Sequence, residues 1–105
     1  MSIQTINDFT EAQIHKIHEL LAWIGECNGI GSDCKVDGIE LFKDRHNNFY
    51  ASYAFHSYSE RGPSAELAYV EINREGERID LTKKYENTSD IAVKLAKLEK
   101  IKLTD

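Results

Sequence analysis

The sequence predicts an α+β domain of two layers: an N-terminal helix, a four-stranded antiparallel sheet, and a C-terminal helix packed with the first on one sheet face. Three observations carry this. Apolar residues recur at helical spacing near both ends of the chain. Between those ends the pattern changes to strand alternation. The turns separating the alternating runs are too short for helical crossovers, so the strands pair as antiparallel hairpins. At 105 residues the chain holds one hydrophobic core, and residues 1–105 are expected to form a single globular domain.

Residues 8–27 read as the first helix. Ile14, Ile17, Leu21 and Ile24 step by 3, 4 and 3, and Leu20 widens the same stripe. Either Asp8 with Glu11 or Thr10 with Gln13 supplies a capping box, and Asn28, Gly29 and Gly31 end the helix. Strands follow at 39–43, 49–58, 65–72 and 78–81. DRHNN, SERGPS with the only proline of the chain, and NREGE around Gly76 separate them. The last helix starts at Thr88, Ser89 or Asp90. Ile91, Leu95 and Leu98 form its stripe, extended by Ile101, and Lys94, Lys97, Lys100 and Lys102 suit the negative end of its dipole.

The composition, 41% hydrophobic and 30% charged, is that of a folded chain rather than a disordered one. Net charge is −5, which disfavours a phosphate-backbone binder, since neutralising phosphates requires a surplus of Lys and Arg. Acids and bases are interspersed, as in EINREGERIDL, rather than gathered in runs. No secretory signal or membrane-length apolar run is visible, and a cytoplasmic location is expected. Cys27 and Cys34, separated by CNGIGSDC spacing, then read as free thiols.

The stretch NNFYASYAFHSYSERGPS concentrates aromatic rings in one strand. Alternation sends Phe49, Ala51, Tyr53 and Phe55 to one face and Tyr50, Ala54, His56 and Tyr58 to the other. The first set is the more apolar and should meet the helices. The second set would then lie open, and tyrosine is enriched at protein interfaces. The candidate partner-binding residues are therefore Tyr50, His56 and Tyr58, with Glu60 and Arg61 in the adjacent loop. Trp23, which falls beside the stripe of the first helix, completes the set.

Other constellations are weaker. His15, His18, Cys27 and Cys34 are zinc-ligand types, but their order and spacing differ from the common zinc fingers. HKIHE lacks the HExxH spacing of a metalloprotease helix. GIGS is a helix terminator with no strand before it, and no nucleophile or phosphate-loop signature appears. Glu40, Asp44, Glu66 and Glu71 sit on strand faces and ends, where acids serve solubility.

The expected function is a small acidic intracellular protein-binding regulator or inhibitor without catalysis or cofactor. A phage- or mobile-element-encoded inhibitor of host machinery fits that profile. Homodimerisation through the open sheet face is a second use of the same surface. The alternatives are a nucleic-acid-associated protein, acting as an acidic mimic or by aromatic stacking, and a metal-dependent enzyme or zinc domain built on His15, His18, Cys27 and Cys34.

Overall fold

Helix α1 (Glu11–Cys27) starts where Thr10 caps it. The Thr10 hydroxyl accepts from the Gln13 backbone N–H at 3.2 Å, and the Gln13 side-chain Oε1 accepts from the Thr10 N–H at 2.9 Å. Of the two registers open to the sequence, Thr10 with Gln13 is the one formed, because Thr10 also donates through Oγ1 to the Arg74 carbonyl at 2.7 Å. Ile17, Leu20, Leu21, Ile24 and Cys27 make the buried stripe of the helix. Asn28 ends it.

The computed structural model describes residues 2–3, 8–59, 62–84 and 88–104. After α1 come β2 (Cys34–Lys43), β3 (Phe49–Ser59), β4 (Gly62–Ile72) and β5 (Arg78–Asp80). The chain continues through α2 (Leu81–Lys84), α3 (Thr88–Ala96) and β6 (Glu99–Ile101). β1 (Ser2–Ile3) and β7 (Leu103–Thr104) pair antiparallel with each other. The main sheet has five strands in the order β5-β4-β3-β2-β6. β2 to β5 form a meander of antiparallel neighbours, and β6 joins the far edge beside β2.

A bulge interrupts β2. Asp37 lies opposite Ala54 and Glu40 opposite Ser52, so Gly38 and Ile39 together face Tyr53. Gly38 takes φ +63°, a left-handed conformation that glycine adopts without strain. The extra residue reverses parity along the strand. Val36 before the bulge and Leu41 after it both reach the core beneath α1.

Two cores form, one on each face of the sheet. Beneath α1, its stripe meets Val36, Leu41, Phe49, Ala51, Tyr53, Val70 and Ile72. On the opposite face Phe42, Tyr50 and Tyr69 pack with Leu81, Ile91 and Leu95 from α2 and α3. The expected arrangement, a four-stranded sheet with both helices on one face, is therefore corrected to a five-stranded sheet between α1 and the α2–α3 pair. The physical reason is that the strands are apolar on both faces where they lie under α3. Adjacent pairs such as Leu41 with Phe42, Phe49 with Tyr50 and Tyr69 with Val70 are all buried, and a sheet with two apolar faces must be covered twice.

Ile101 is a second correction. It belongs to β6, pairs with Leu41 and enters the core beneath α1, rather than extending the stripe of the last helix. α3 stops earlier in short-range turn bonds, from Lys97 N–H to the Lys94 carbonyl and from Leu98 N–H to the Leu95 carbonyl. α2 and α3, which lie between edge strands β5 and β6 in the chain, thus both pack on the outer face.

Gln13 fixes how α1 sits on the sheet. The side chain is 0% exposed, and its amide donates to the Asn47 carbonyl at 2.7 Å and to the Ile72 carbonyl at 3.3 Å. Those carbonyls lie at the β2–β3 and β4–β5 turns. The second turn approaches closely: Gly76 holds φ +79°, and a Cβ built there would lie 2.8 Å from the Ala12 Cβ.

Gln13→Ala takes the donor from both carbonyls and breaks the capping box, so it should cost about 2–3 kcal/mol. Urea unfolding reads this as a lower midpoint at unchanged slope. Gly76→Ala should cost about 2 kcal/mol from its strained φ and its clash. The Ala12→Gly, Gly76→Ala double variant should recover only the Cβ–Cβ part of the clash, since the backbone carbonyl of residue 12 stays 3.0 Å from the new Cβ. Unchanged midpoints for Gln13→Ala would mean that the helix is not seated through its amide.

Candidate functional site

The outer face of the sheet, opposite α1, is covered along only part of its length. Its β3 positions are Tyr50, Ser52, Ala54, His56 and Tyr58, and their β4 partners are Glu71, Tyr69, Leu67, Ala65 and Pro63. α2 and α3 bury the end holding Tyr50 and Tyr69. Beyond Ser52 the face opens: Tyr58 is 53% exposed and Leu67 57%. Both are large apolar side chains that strand alternation holds on the same side, with the His56–Ala65 pair in the row between them.

Tyr50 is not part of this open surface. It is 2% exposed, against the expectation that it would share an uncovered face with His56 and Tyr58. α3 covers it, with the Lys94 ammonium 5.3 Å from its ring centroid. Its hydroxyl donates to Asp44 Oδ2 at 3.0 Å, with Glu71 also beside it. Burial, with the charges of Glu71 and Asp44, pushes the phenol far above its ordinary range. Tyr50 is a core residue with a satisfied hydroxyl.

Asp44 organises the adjoining turn. Besides the Tyr50 hydroxyl it accepts from the His46 and Asn48 backbone N–H groups and from the Asn48 amide, all between 2.9 and 3.0 Å. Burial works to raise its carboxyl, and the bonds from Asn48, Tyr50 and His46 outweigh it and hold the group below the ordinary aspartate range.

His56 remains on the open portion and is half-buried. Its Nε2 lies 3.1 Å from Asp37 Oδ2, across the β2–β3 pair. Trp23 sits on the other side of the sheet, stacked on Phe55 at 5.7 Å and tilted against Tyr53 at 6.0 Å. It therefore cannot join Tyr58 in one surface. Glu60 and Arg61 lie outside the described residues. Of the six candidates, the structure brings together His56 and Tyr58 alone, and it adds Leu67. The signal for Leu67 was its pairing parity: once β4 runs antiparallel to β3, its odd positions share a face with Tyr58.

The zinc-type residues do not converge. His15 and His18 lie on the first half of α1 and Cys27 at its end, and at 1.5 Å rise per residue His18 is roughly 13 Å from Cys27 along the axis. His15 instead pairs with Glu19 at 3.1 Å. Among the described residues no group of three or more His, Cys, Asp or Glu could hold a metal ion. Cys27 and Cys34 do meet: both are free, and burial together with contact from Cys34 pushes the Cys27 thiol up to about 11. Of the four acids, Asp44 and Glu71 meet at the Tyr50 hydroxyl and the other two stand apart. Glu40 lies 3.8 Å from Lys100, and Glu66 is exposed on the α1 side of β4.

Tyr50→Ala should cost about 3–5 kcal/mol, the loss of a buried ring, and Tyr50→Phe about 1 kcal/mol for the hydroxyl. Because the folded Asp44 carboxyl is held low, its stabilisation is present above about pH 4 and lost as pH falls through its depressed value. Asp44→Asn should therefore flatten the acid limb of the stability curve, measured by urea midpoints between pH 5 and pH 2. An unchanged limb would remove Asp44 as its source. The chain matches no protein-family model, no curated protein and no solved structure.

Proposed function

We propose that this chain is a protein-binding module that acts by occupying a partner rather than by catalysing a reaction, in the manner of a small regulator or inhibitor. The observation supporting this reading is the uncovered end of the outer sheet face, where Tyr58 and Leu67 stand exposed past the reach of α3. A sheet surface fixed by two packed cores holds such side chains in place before binding, so little ordering entropy is lost on association. Tyrosine contributes a rigid ring and a hydroxyl at such a contact, and leucine contributes area. The −5 charge favours a partner with a basic surface.

The test is quantitative affinity capture from the native cell extract with wild-type protein and with the Tyr58→Ser, Leu67→Ser double variant. Both side chains are exposed, so the variant should melt within a few degrees of wild type. The expected result is loss of a captured partner by about tenfold or more. Equal capture by both proteins would remove this surface from the interaction.

A further inference from the structure

The two long edges of the sheet are treated differently. Tyr58 N–H donates to the Asp33 carbonyl, so even-numbered β3 residues direct their backbone groups toward β2 and odd-numbered ones toward β4. On β2, Val36 consequently points its N–H and C=O outward, and the Asn28 side chain takes both, at 2.8 and 3.0 Å. That edge is capped. On β4 the outward groups belong to Pro63, Ala65, Leu67, Tyr69 and Glu71, the last opposite Ile79 of β5. β5 reaches only from Ile72 back to Val70, because the chain then turns into α2. Pro63, Ser64, Ala65, Glu66 and Leu67 are all exposed, and among the described residues no strand pairs with them on that side.

Beside this bare edge, on the α1 side, lies a groove of about 690 Å³ walled by Trp23, Tyr53, Phe55 and Val70, with Ala68 at its rim and Arg78 at one end. Ala68 is small, so a side chain arriving next to the edge meets the aromatic wall directly. The groove also carries Glu66 and Asp80 against the single Arg78. We infer that β4 accepts an extended segment of a partner protein as an added antiparallel strand along Pro63–Leu67. That segment carries a large apolar side chain in the groove beside Ala68 and a basic one two residues later, opposite Glu66. A free edge supplies backbone affinity, and alternate side chains supply selectivity. A second copy of this chain suits the edge poorly, since it brings the same Glu66 and the same −5 charge. The inference rests on the reading of the chain as a protein-binding module and specifies how the partner is held.

The probe is a fluorescein-labelled acetylated hexapeptide, Thr-Phe-Val-Lys-Val-Thr. Antiparallel pairing places its Phe beside Ala68, its Lys opposite Glu66, and its two Val residues opposite Leu67 and Ala65. The Val N–H groups then donate to the edge, and the Lys N–H points away. Fluorescence anisotropy with the full chain should give saturable binding tighter than about 1 mM. N-methylation of both Val residues should weaken it by about tenfold or more, and N-methylation of Lys by less than about threefold. Glu66→Lys should weaken it, and so should Ala65→Pro, which removes an outward N–H while leaving the β3–β4 ladder donors in place.

No binding, binding indifferent to Val N-methylation, or a chain that sediments as a dimer with Ala65 and Leu67 amides protected would overturn the inference. A cellular partner lost in the Tyr58, Leu67 variant but indifferent to Ala65→Pro would overturn strand addition alone and leave the protein-binding reading standing. Peptide binding with no loss of any partner in the Tyr58, Leu67 variant would support the edge and remove the outer face.

Discussion

A single buried amide sets the geometry of the molecule. Gln13 belongs to the first turn of α1, where backbone N–H groups need partners, and it also supplies donors to the Asn47 and Ile72 carbonyls at the sheet end. A leucine there would bury more apolar surface yet leave those groups without their partner, so the polar residue is the better core residue. With the start of the helix tied to two turns of the meander, its remaining length can only run over β2, β3 and β4, and the stripe from Ile17 to Cys27 follows. The Lys43–Asp8 ion pair lies near the same end, where the contact raises the lysine ammonium against its burial.

From that constraint the unequal coverage of the sheet follows. On the outer face α2 and α3 occupy one end and stop short of the far end of β3 and β4, while on the other face α1 carries Trp23 as far as Phe55. Exposed apolar side chains, the groove under Trp23 and the unpaired stretch of β4 all occur in that region. The chain caps the corresponding edge of β2 with Asn28, so it has the means to close an edge and uses them on one side only. Pro63 is the one blunting device on β4, and it sits at the outer end.

Much of this was legible in the residues. The stripe of α1, the ring-rich β3 and the turn at Gly76 stand where alternation and helical spacing put them. The first half of β2 was hidden because the Gly38 bulge shifts Val36 and Leu41 out of simple alternation. β6 was hidden because Ile101 continues the spacing of Ile91, Leu95 and Leu98, and only the turn at Lys97–Leu98 breaks it. Assigning helices to faces needs the knowledge that neighbouring residues such as Phe49 and Tyr50 are both buried, which no period-two pattern conveys. The site suffered for the same reason. Tyr50 and Tyr58 share one strand parity, yet α3 covers the first and stops short of the second.

The contact between Ala12 and Gly76 couples the start of the helix to the β4–β5 turn. The two elements meet there with no space for a Cβ at position 76, while Gln13 beside it reaches past to both turns. Most surface residues can change without moving the helix, but position 76 must remain glycine, for its positive φ and for the room the helix start takes up. The Thr10-x-x-Gln13 box and the Asn73-x-x-Gly76 turn, sixty positions apart, thus behave as one packed unit, so a change in either is felt by both.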